Sequence, residues 1–293
     1  SDQLVENILY YLYKYGPMLT RNELWMIEDI DRQTIHYLLP FINFLNTIME
    51  TKKELLIPKI IHQIWSGIDQ PLPKLFQTLG ATWKRDYPEW NYMLWDHNKM
   101  NTFIQEYYPQ YWDSYNNFPY NIQRWDAIRY LILDQFGGMY VDFDYESIRP
   151  MEAILEGKTC CFSAEPETHR GHFGYTEIPC FNNALMLSIP GHPFMRKVIK
   201  SVFSDNGESY NIHSFDYVLR TTGPWKLMTL YNELNEHDKK QVYLLPKEYV
   251  TPFDVNQTRR FMVNKERSKE LEDCLKDAYA IHYFFNTWSK EIK

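Results

Sequence analysis

The spacing of hydrophobic residues changes near residue 55 of the chain. Before that point, Leu4, Ile8 and Leu12 recur at every fourth position, which places them on one face of a helix. After it, short apolar runs alternate with longer amphipathic stretches. We therefore expect a helical N-terminal extension over residues 1–55 and a main domain over residues 56–293. The extension lacks a strongly basic face, so packing on the main domain is favoured over a membrane-surface or partner-binding role.

The main domain is expected to alternate strands and helices. Its apolar runs predict strands over residues 57–65, 90–95, 139–141, 159–163, 184–188, 242–245 and 278–283. Its amphipathic stretches predict helices over residues 73–87, 100–108 and 119–136, and the last of these ends at a Gly-Gly pair that can stop a helix. Such alternation is typical of a mainly parallel sheet flanked by helices, so the sequence predicts an α/β fold.

Composition excludes several classes of protein. The chain has 293 residues, of which 44% are hydrophobic and 17% aromatic, so a disordered chain is excluded. Its net charge of -7 argues against nucleic-acid binding, which requires a basic surface. The four cysteines, Cys160, Cys161, Cys180 and Cys274, show no CxxC spacing and are expected to be buried apolar residues in a reducing compartment.

No segment of the sequence has the pattern of a membrane span or a signal peptide. The nearest candidate, the uncharged run over residues 33–47, contains Pro40 and is shorter than the roughly 20 apolar residues that a span needs. The chain begins with Ser1 rather than Met, so the loss of an N-terminal anchor stays an alternative. The expected location is the cytoplasm, including the inner face of the membrane, or the Golgi lumen if the chain is a trimmed eukaryotic protein.

Two aspartates, Asp142 and Asp144, follow the strand expected at residues 139–141. On an extended chain both carboxylates point to one side, and neighbouring carboxylates repel each other unless a cation joins them. Hard divalent cations prefer oxygen ligands and commonly bridge carboxylates to phosphates. Residues 29–31 repeat the Asp-x-Asp spacing, but they lie in an expected helix, where residues two apart do not share a face. We interpret residues 29–31 as solvated charge and the later pair as a metal site.

Five segments in fixed order carry a family resemblance. In chain order they read IPKIIHQIW, WDAIRYLILDQFGGMYVDFD, NNALMLSIPGHP, TGP and HYFFNTW. This order resembles the family 32 glycosyltransferases, which include yeast-type initiating α-1,6-mannosyltransferases and bacterial capsular and exopolysaccharide enzymes. It is distantly similar to the catalytic domains of clostridial glucosylating toxins. The resemblance covers about residues 57–288 and implies a GT-A type fold that binds a nucleotide-sugar at the carboxyl ends of its strands.

The resemblance also implies roles for single residues. Trp65 would stack on the nucleobase, and Asp126 and Arg129 would hydrogen-bond the donor sugar. Asp144 would bind the metal, while Asp142 would reach the metal, its bound water, or a hydroxyl group of the donor. Further residues expected around the substrates are His62, Gln63, Ser66, Tyr140, Asn182, Asn183, Thr222, Gly223 and Trp288.

Three points of the implied site stay open. His282 or a following residue would complete the metal shell, but Asn286 and Thr287 stand where relatives often carry Gly-Ser. One of the two neighbouring asparagines is expected to face the site, and the sequence does not distinguish them. His169 and His172 lie in a Gly-rich polar segment, and we interpret them as part of a mobile loop over the site rather than as a metal pair.

The implied function is that of a retaining glycosyltransferase that depends on Mn²⁺ or Mg²⁺. It would move a hexose from a nucleotide-sugar, UDP-sugars first and GDP-mannose next, to a saccharide or glycolipid acceptor in polysaccharide or glycan synthesis. No carboxylate is an obvious nucleophile, which favours front-face substitution. The alternatives are a toxin-like enzyme that modifies a protein side chain and a non-enzymatic carbohydrate-binding protein. Peripheral membrane contact is a secondary expectation, and the oligomeric state is left open.

Overall fold

The computed structural model describes residues 55–172, 179–204, 210–213 and 215–285. The expected helical extension lies outside these residues except for its last residue, so its structure and the boundary after residue 55 stay predictions. Within the described part of the chain, no helix is long and apolar enough to cross a membrane.

The strands of the described residues fall into two sheets. They are β1 (Ile60–Ile64), β2 (Asn91–Trp95), β3 (Gly138–Val141), β4 (Tyr145–Ser147), β5 (Cys160–Ala164), β6 (Phe181–Ser188), β7 (Tyr243–Leu245) and β8 (Ala280–His282). The larger sheet has the order β2-β1-β3-β6-β5-β7, and β4 pairs with β8 in a separate two-stranded sheet. In the larger sheet β6 runs antiparallel to β3 and β5, and the other strands run in one direction.

Helices connect these strands. They are α1 (Lys74–Asp86), α2 (His97–Tyr107), α3 (Trp112–Asn116), α4 (Asn121–Phe136), α5 (Glu152–Leu155), α6 (Pro193–Ser204), α7 (Phe215–Thr221), α8 (Pro224–Asn232), α9 (Glu236–Lys239), α10 (Lys247–Val250), α11 (Val255–Met262) and α12 (Lys269–Cys274). Short 3₁₀ turns occupy Pro109–Tyr111 and Glu167–His172. The predicted α/β fold with a mainly parallel sheet flanked by helices is therefore confirmed.

Two differences between the predicted and the observed elements bear on the site. β6 begins at Phe181 rather than at Ala184, so the two asparagines lie inside the strand and not before it. The strand β4 was not expected, because its three residues pair with β8 far along the chain. β6 is buried along its whole length, as expected for a central strand that is covered on both faces.

The Gly-Gly pair after α4 brings that helix and the Asp-x-Asp segment together. Gly137 and Gly138 both have positive φ, at 64° and 98°. A side chain at Gly138 would come within 2.5 Å of the carbonyl oxygen of Ile60, so the close approach of β3 to β1 requires glycine there. The chain can therefore leave α4, enter β3 at once, and place Asp142 at the end of the sheet.

The core lies on both faces of the larger sheet. One face packs against α4, with Ile128 and Leu131 fully buried, and the other packs against α1 through Trp83. Cys160, Cys161 and Cys180 are buried, Cys274 is partly buried, and all four are free thiols. The expected burial of the cysteines is thus observed for the three that lie in or beside the sheet.

Candidate active site

A cavity of about 630 Å³ opens at one edge of the larger sheet. The residues that follow β1, β3 and β5 line it, as do the first residues of β6. These segments meet because β6 runs antiparallel, so its beginning lies beside the carboxyl ends of its neighbours. The open edge of an α/β sheet at the carboxyl ends of its strands is where such folds bind ligands.

Asp142 is held on the cavity wall by two neighbours. Tyr140 Oη donates a hydrogen bond to Asp142 Oδ1 at 2.5 Å, and Arg129 Nη1 lies 3.2 Å from the same oxygen. The Arg129 guanidinium stacks over the Tyr140 ring at 4.5 Å. Burial raises the pKa of Asp142, and Arg129 partly offsets that effect. The three side chains thus form one rigid unit at the end of β3.

Asp126, one turn before Arg129 on α4, is bonded through both carboxylate oxygens. Asn183 Nδ2 donates to Oδ1 at 2.8 Å, and Thr222 Oγ1 donates to Oδ2 at 3.0 Å. Arg129 Nη2 lies 3.4 Å from Asp126 Oδ1. Burial raises the pKa of Asp126 to about 6. The structure therefore links α4, β6 and the end of α7 through this one carboxylate.

Asp144 and His282 meet on the cavity wall. His282 Nε2 lies 3.3 Å from Asp144 Oδ1, and the backbone N–H of Phe285 donates to Asp144 Oδ2 at 3.0 Å. Burial disfavours the charged form of each group, but the attraction between the two opposite charges outweighs this effect. The pKa of His282 is therefore raised and the pKa of Asp144 is lowered. Phe284, which has a positive φ of 51°, places its ring 3.9 Å from the His282 ring.

The donor atoms of this wall suit a divalent cation only in part. Among the described residues, no group of three or more His, Cys, Asp or Glu side chains is arranged to hold a metal. Asp144 and His282 nevertheless offer a carboxylate oxygen and an imidazole nitrogen, and the Asp142 carboxyl group lies close enough to interact with both. Mg²⁺ is commonly bound by one or two carboxylates plus substrate phosphates. The residues therefore fit a cation that takes its remaining ligands from outside the protein, and they do not form a site complete in itself.

Trp65 and Ser66 line the part of the cavity that follows β1. The half-buried Trp65 ring packs edge-on against Phe76 and Phe143 at 5.6 and 6.3 Å, and its Nε1 donates to the carbonyl of Gln70 at 3.0 Å. This position agrees with a role beside a nucleobase, and the stacking itself stays a prediction.

His62 and Gln63 lie elsewhere than expected. Neither lines the cavity, because both side chains are buried within the fold, short of the end of β1. His62 Nε2 donates to the carbonyl of Gly137 at 2.9 Å, and its Nδ1 accepts from Trp95 Nε1 at 3.1 Å. Gln63 donates to the carbonyl of Val141 at 3.3 Å. These two residues therefore bond to neighbouring strands and do not line the cavity.

Protonation of His62 is expected to destabilise the fold. Burial lowers the pKa of His62 from 6.5 to about 4, and a second ring proton would meet the N–H of Trp95 instead of an acceptor. Unfolded His62 binds its proton at a higher pH, so a contribution of about 3 kcal/mol is present above pH 6.5 and is lost as the pH falls to 4. We expect His62→Gln to flatten the decrease of melting temperature between these pH values.

The exposed His97 supplies a control for this measurement. We expect His97→Gln to keep the pH profile of the wild type. If the melting temperature of His62→Gln decreased with acid as steeply as that of the wild type, His62 would not be the group that titrates.

Both asparagines line the cavity, and they face different partners. Asn183 contacts Asp126, as described above, whereas Asn182 Nδ2 donates to Glu165 Oε1 at 3.0 Å. His169 Nδ1 donates to the other Glu165 oxygen at 3.0 Å, and its Nε2 accepts from the backbone N–H of Val255 at 3.2 Å. His169 is thus fixed in the wall of the cavity rather than placed in a loose loop.

Glu165 is a partly buried carboxylate that the sequence pattern did not single out. It lines the cavity just after β5 and carries hydrogen bonds on both oxygens. Its position in the sequence could have indicated it, because it comes soon after a predicted strand, as the Asp-x-Asp pair does. Of the other expected residues, Thr222 is buried against Asp126, Gly223 does not line the cavity, and Trp288 lies outside the described residues.

Comparison with known families identifies the part of the chain around this cavity. Residues 73–160 match the glycosyltransferase sugar-binding region containing a DXD motif. Residues 73–160 are the DXD-containing sugar-binding region of a glycosyltransferase. Its D-x-D is Asp142-Phe143-Asp144, at the end of β3. The family resemblance predicted from the five sequence segments is confirmed.

Several curated relatives of the chain are fungal proteins. "Inositol phosphoceramide mannosyltransferase 1" of Schizosaccharomyces pombe is 30% identical over 172 residues, 57% of this chain and 49% of the relative. "Mannosyl phosphorylinositol ceramide synthase CSH1" of Saccharomyces cerevisiae is 30% identical over 225 residues, 75% of this chain and 55% of the relative. The chain thus spans about half the length of these relatives. Among solved structures, the PaToxG glycosyltransferase is 16% identical, with a TM-score of 0.44 over 76% of this chain and 89% of that one.

Proposed function

We propose that the domain transfers mannose from a nucleotide-sugar to a hydroxyl group of a saccharide or glycolipid acceptor. One observation carries the proposal: a single cavity in a DXD-type glycosyltransferase domain gathers Asp126, Arg129, Asp142, Asp144 and His282. The two fungal relatives are named as mannosyl-transferring enzymes, which favours mannose, and both names contain a ceramide, which favours a glycolipid acceptor.

The preferred donor is GDP-mannose. The sequence alone favoured UDP-sugars over GDP-mannose as the donor. The names of the fungal relatives favour GDP-mannose instead, because both refer to a mannosyl group. GDP-mannose carries its leaving group in the α configuration. The family resemblance implies retention, so we propose that the product bond is also α.

The reaction exchanges one bond at the anomeric carbon for another. The bond from this carbon to the diphosphate breaks, the bond to the acceptor oxygen forms, and the proton of the acceptor hydroxyl leaves with the diphosphate. A divalent cation held by Asp144 and His282 together with the diphosphate would offset the charge that develops on the leaving group. Arg129 keeps Asp126 and Asp142 in fixed positions, so these groups are ordered before the donor arrives.

Thermal unfolding with a panel of nucleotides tests the donor. A ligand that binds the native state stabilises it by RT ln(1 + [L]/Kd), about 2.7 kcal/mol at one hundred times Kd. We expect GDP and GDP-mannose, each with Mn²⁺, to raise the melting temperature more than UDP and UDP-glucose do. A larger shift with the UDP compounds would reject GDP-mannose, and no shift with any nucleotide would reject the function.

The configuration of the product tests retention separately. The one-bond carbon–proton coupling at the anomeric carbon is larger for an α-mannoside than for a β-mannoside. We expect the α value in the isolated product. A β value would show inversion and would overturn the proposed stereochemistry, while transfer itself would stand.

A further inference from the structure

One wall of the cavity has no role in the proposed reaction. We call it the outer wall, and it consists of Trp125 on α4, Asp216 and Leu219 on α7, and Trp225 on α8. Trp125 is half-buried and Asp216 is exposed, so both present surface to a ligand in the cavity. The Arg220 guanidinium lies over the Trp225 ring at 4.6 Å. The Trp125 indole is therefore the more open of the two indole rings.

The outer wall lies next to the proposed donor site. α7 runs along the first half of α4: its Tyr217 ring is 6.5 Å from Tyr120, and Thr221 Oγ1 accepts from Gln123 Nε2 at 2.8 Å. Thr222, just beyond α7, contacts Asp126. Asp216 is in the first turn of α7, at the opposite end from this contact. The wall therefore continues from the catalytic carboxylates outward along α7.

The chemistry of the outer wall suits a ring that carries hydroxyl groups. An indole offers a flat apolar face, on which the C–H face of a sugar or cyclitol can pack. A carboxylate accepts hydrogen bonds through both of its oxygens and can bind neighbouring hydroxyl groups. Trp125 and Asp216 supply this combination on two helices that are bonded to each other.

The charge of the cavity argues against a phosphate group at this wall. Among the residues that the structure describes, six carboxylates line the cavity, namely Asp126, Asp142, Asp144, Glu165, Asp216 and Asp254. Arg129 is the single lysine or arginine among the described lining residues. Its guanidinium is already engaged with the carbonyl groups of Trp125 and Asn183 and with the carboxylates of Asp126 and Asp142. At the outer wall the carboxylate is Asp216, and Arg220, whose guanidinium lies over Trp225, does not line the cavity. An acceptor phosphate placed against Asp216 would be repelled by its negative charge.

We infer that the outer wall binds the acceptor as an uncharged hydroxylated ring, with any phosphate of the acceptor outside the cavity. This inference rests on the proposed function and deepens it. It assigns Trp125 and Asp216 as acceptor-binding residues, which neither touch the donor diphosphate nor hold a cation. The acceptor class is then a neutral sugar or cyclitol unit, either free or as the outermost ring of a glycolipid.

Saturation-transfer NMR on the whole chain, loaded with GDP and Mg²⁺, tests the inference. The probes are methyl α-mannoside and mannose 6-phosphate, which share a ring and differ in charge. We expect the wild type to bind the neutral probe at least tenfold more tightly than the phosphate. We expect Asp216→Asn and Trp125→Ala each to weaken the binding of the neutral probe about tenfold or more. The exposed Asp113 on α3 provides the matched control, because Asp113→Asn should bind the neutral probe as the wild type does.

Steady-state kinetics with GDP-mannose separates this inference from the proposed function. For the two outer-wall variants we expect a raised KM for the acceptor and a change of less than twofold in the KM for the donor. Equal affinity for the two probes, no binding of the neutral probe, or unchanged binding in both variants would each overturn the inference. The failure of the proposed function looks different, because the wild type would then neither bind GDP nor cleave GDP-mannose.

Discussion

Asp144→Asn is expected to lower the rate of transfer on the order of 100-fold or more while the fold is kept. The amide removes one negative charge from the wall that faces the proposed diphosphate site, but it has the same shape. Its oxygen can still accept the hydrogen bond from the backbone N–H of Phe285. The measurement is kcat at saturating donor, together with the melting temperature.

A chelator tests independently whether transfer depends on a divalent cation. We expect EDTA to abolish transfer by the wild type and added Mn²⁺ to restore it. Asp113→Asn, which also removes one carboxylate charge but lies exposed on α3, should keep the wild-type rate and metal response. A variant at Asp144 that retained most of its activity, or a wild type at full rate in EDTA, would exclude a metal-assisted mechanism.

Arg129→Lys is expected to reduce transfer by about 2 to 4 kcal/mol of transition-state stabilisation, which is roughly 30- to 1,000-fold. The guanidinium contacts two carboxylates and two carbonyl groups at once, and a single ammonium group cannot reach all four. Asp126 and Asp142 would then repel each other with weaker compensation, so we also expect a lower melting temperature.

Arg124→Lys is the matched control on the same helix. Arg124 bonds to Asn121 and to the carbonyl groups of Asn116 and Phe118, and it does not line the cavity. We expect this variant to lose stability with little change in kcat. If Arg129→Lys weakened the binding of bare GDP as much as it slowed transfer, Arg129 would act on the nucleotide and not on the sugar.

The part of the site that the sequence revealed is the part built from neighbouring residues. α4, the Gly-Gly stop, β3 and the Asp-x-Asp pair follow each other within one segment, so local spacing was sufficient to predict them. The local sequence does not show which residues of β1 are covered by the helices on either face of the sheet. In the structure Trp65, beyond the strand, faces the cavity, whereas His62 and Gln63 are enclosed.

Features that depend on distant segments were not predictable in this way. β4 and β8 have three residues each, and their pairing joins Tyr145 to His282. β8 lies within the strand predicted over residues 278–283, whereas the sequence around β4 shows no strand pattern of its own. Glu165 was not indicated either, because its contact with Asn182 depends on the pairing of β5 with β6, although its other partner, His169, lies only four residues further along the chain.

The antiparallel course of β6 has a consequence for how the cavity assembles during folding. The contacts that build it close large loops: 54 residues separate Arg129 from Asn183, 96 separate Asp126 from Thr222, and 141 separate Asp144 from Phe285. Loop closure on this scale makes such contacts slow to form. A fragment limited to residues 73–160 would keep both aspartates of the D-x-D but none of these later partners. If the domain binds a nucleotide as proposed, we expect that binding to be lost unless the chain has folded through to β8.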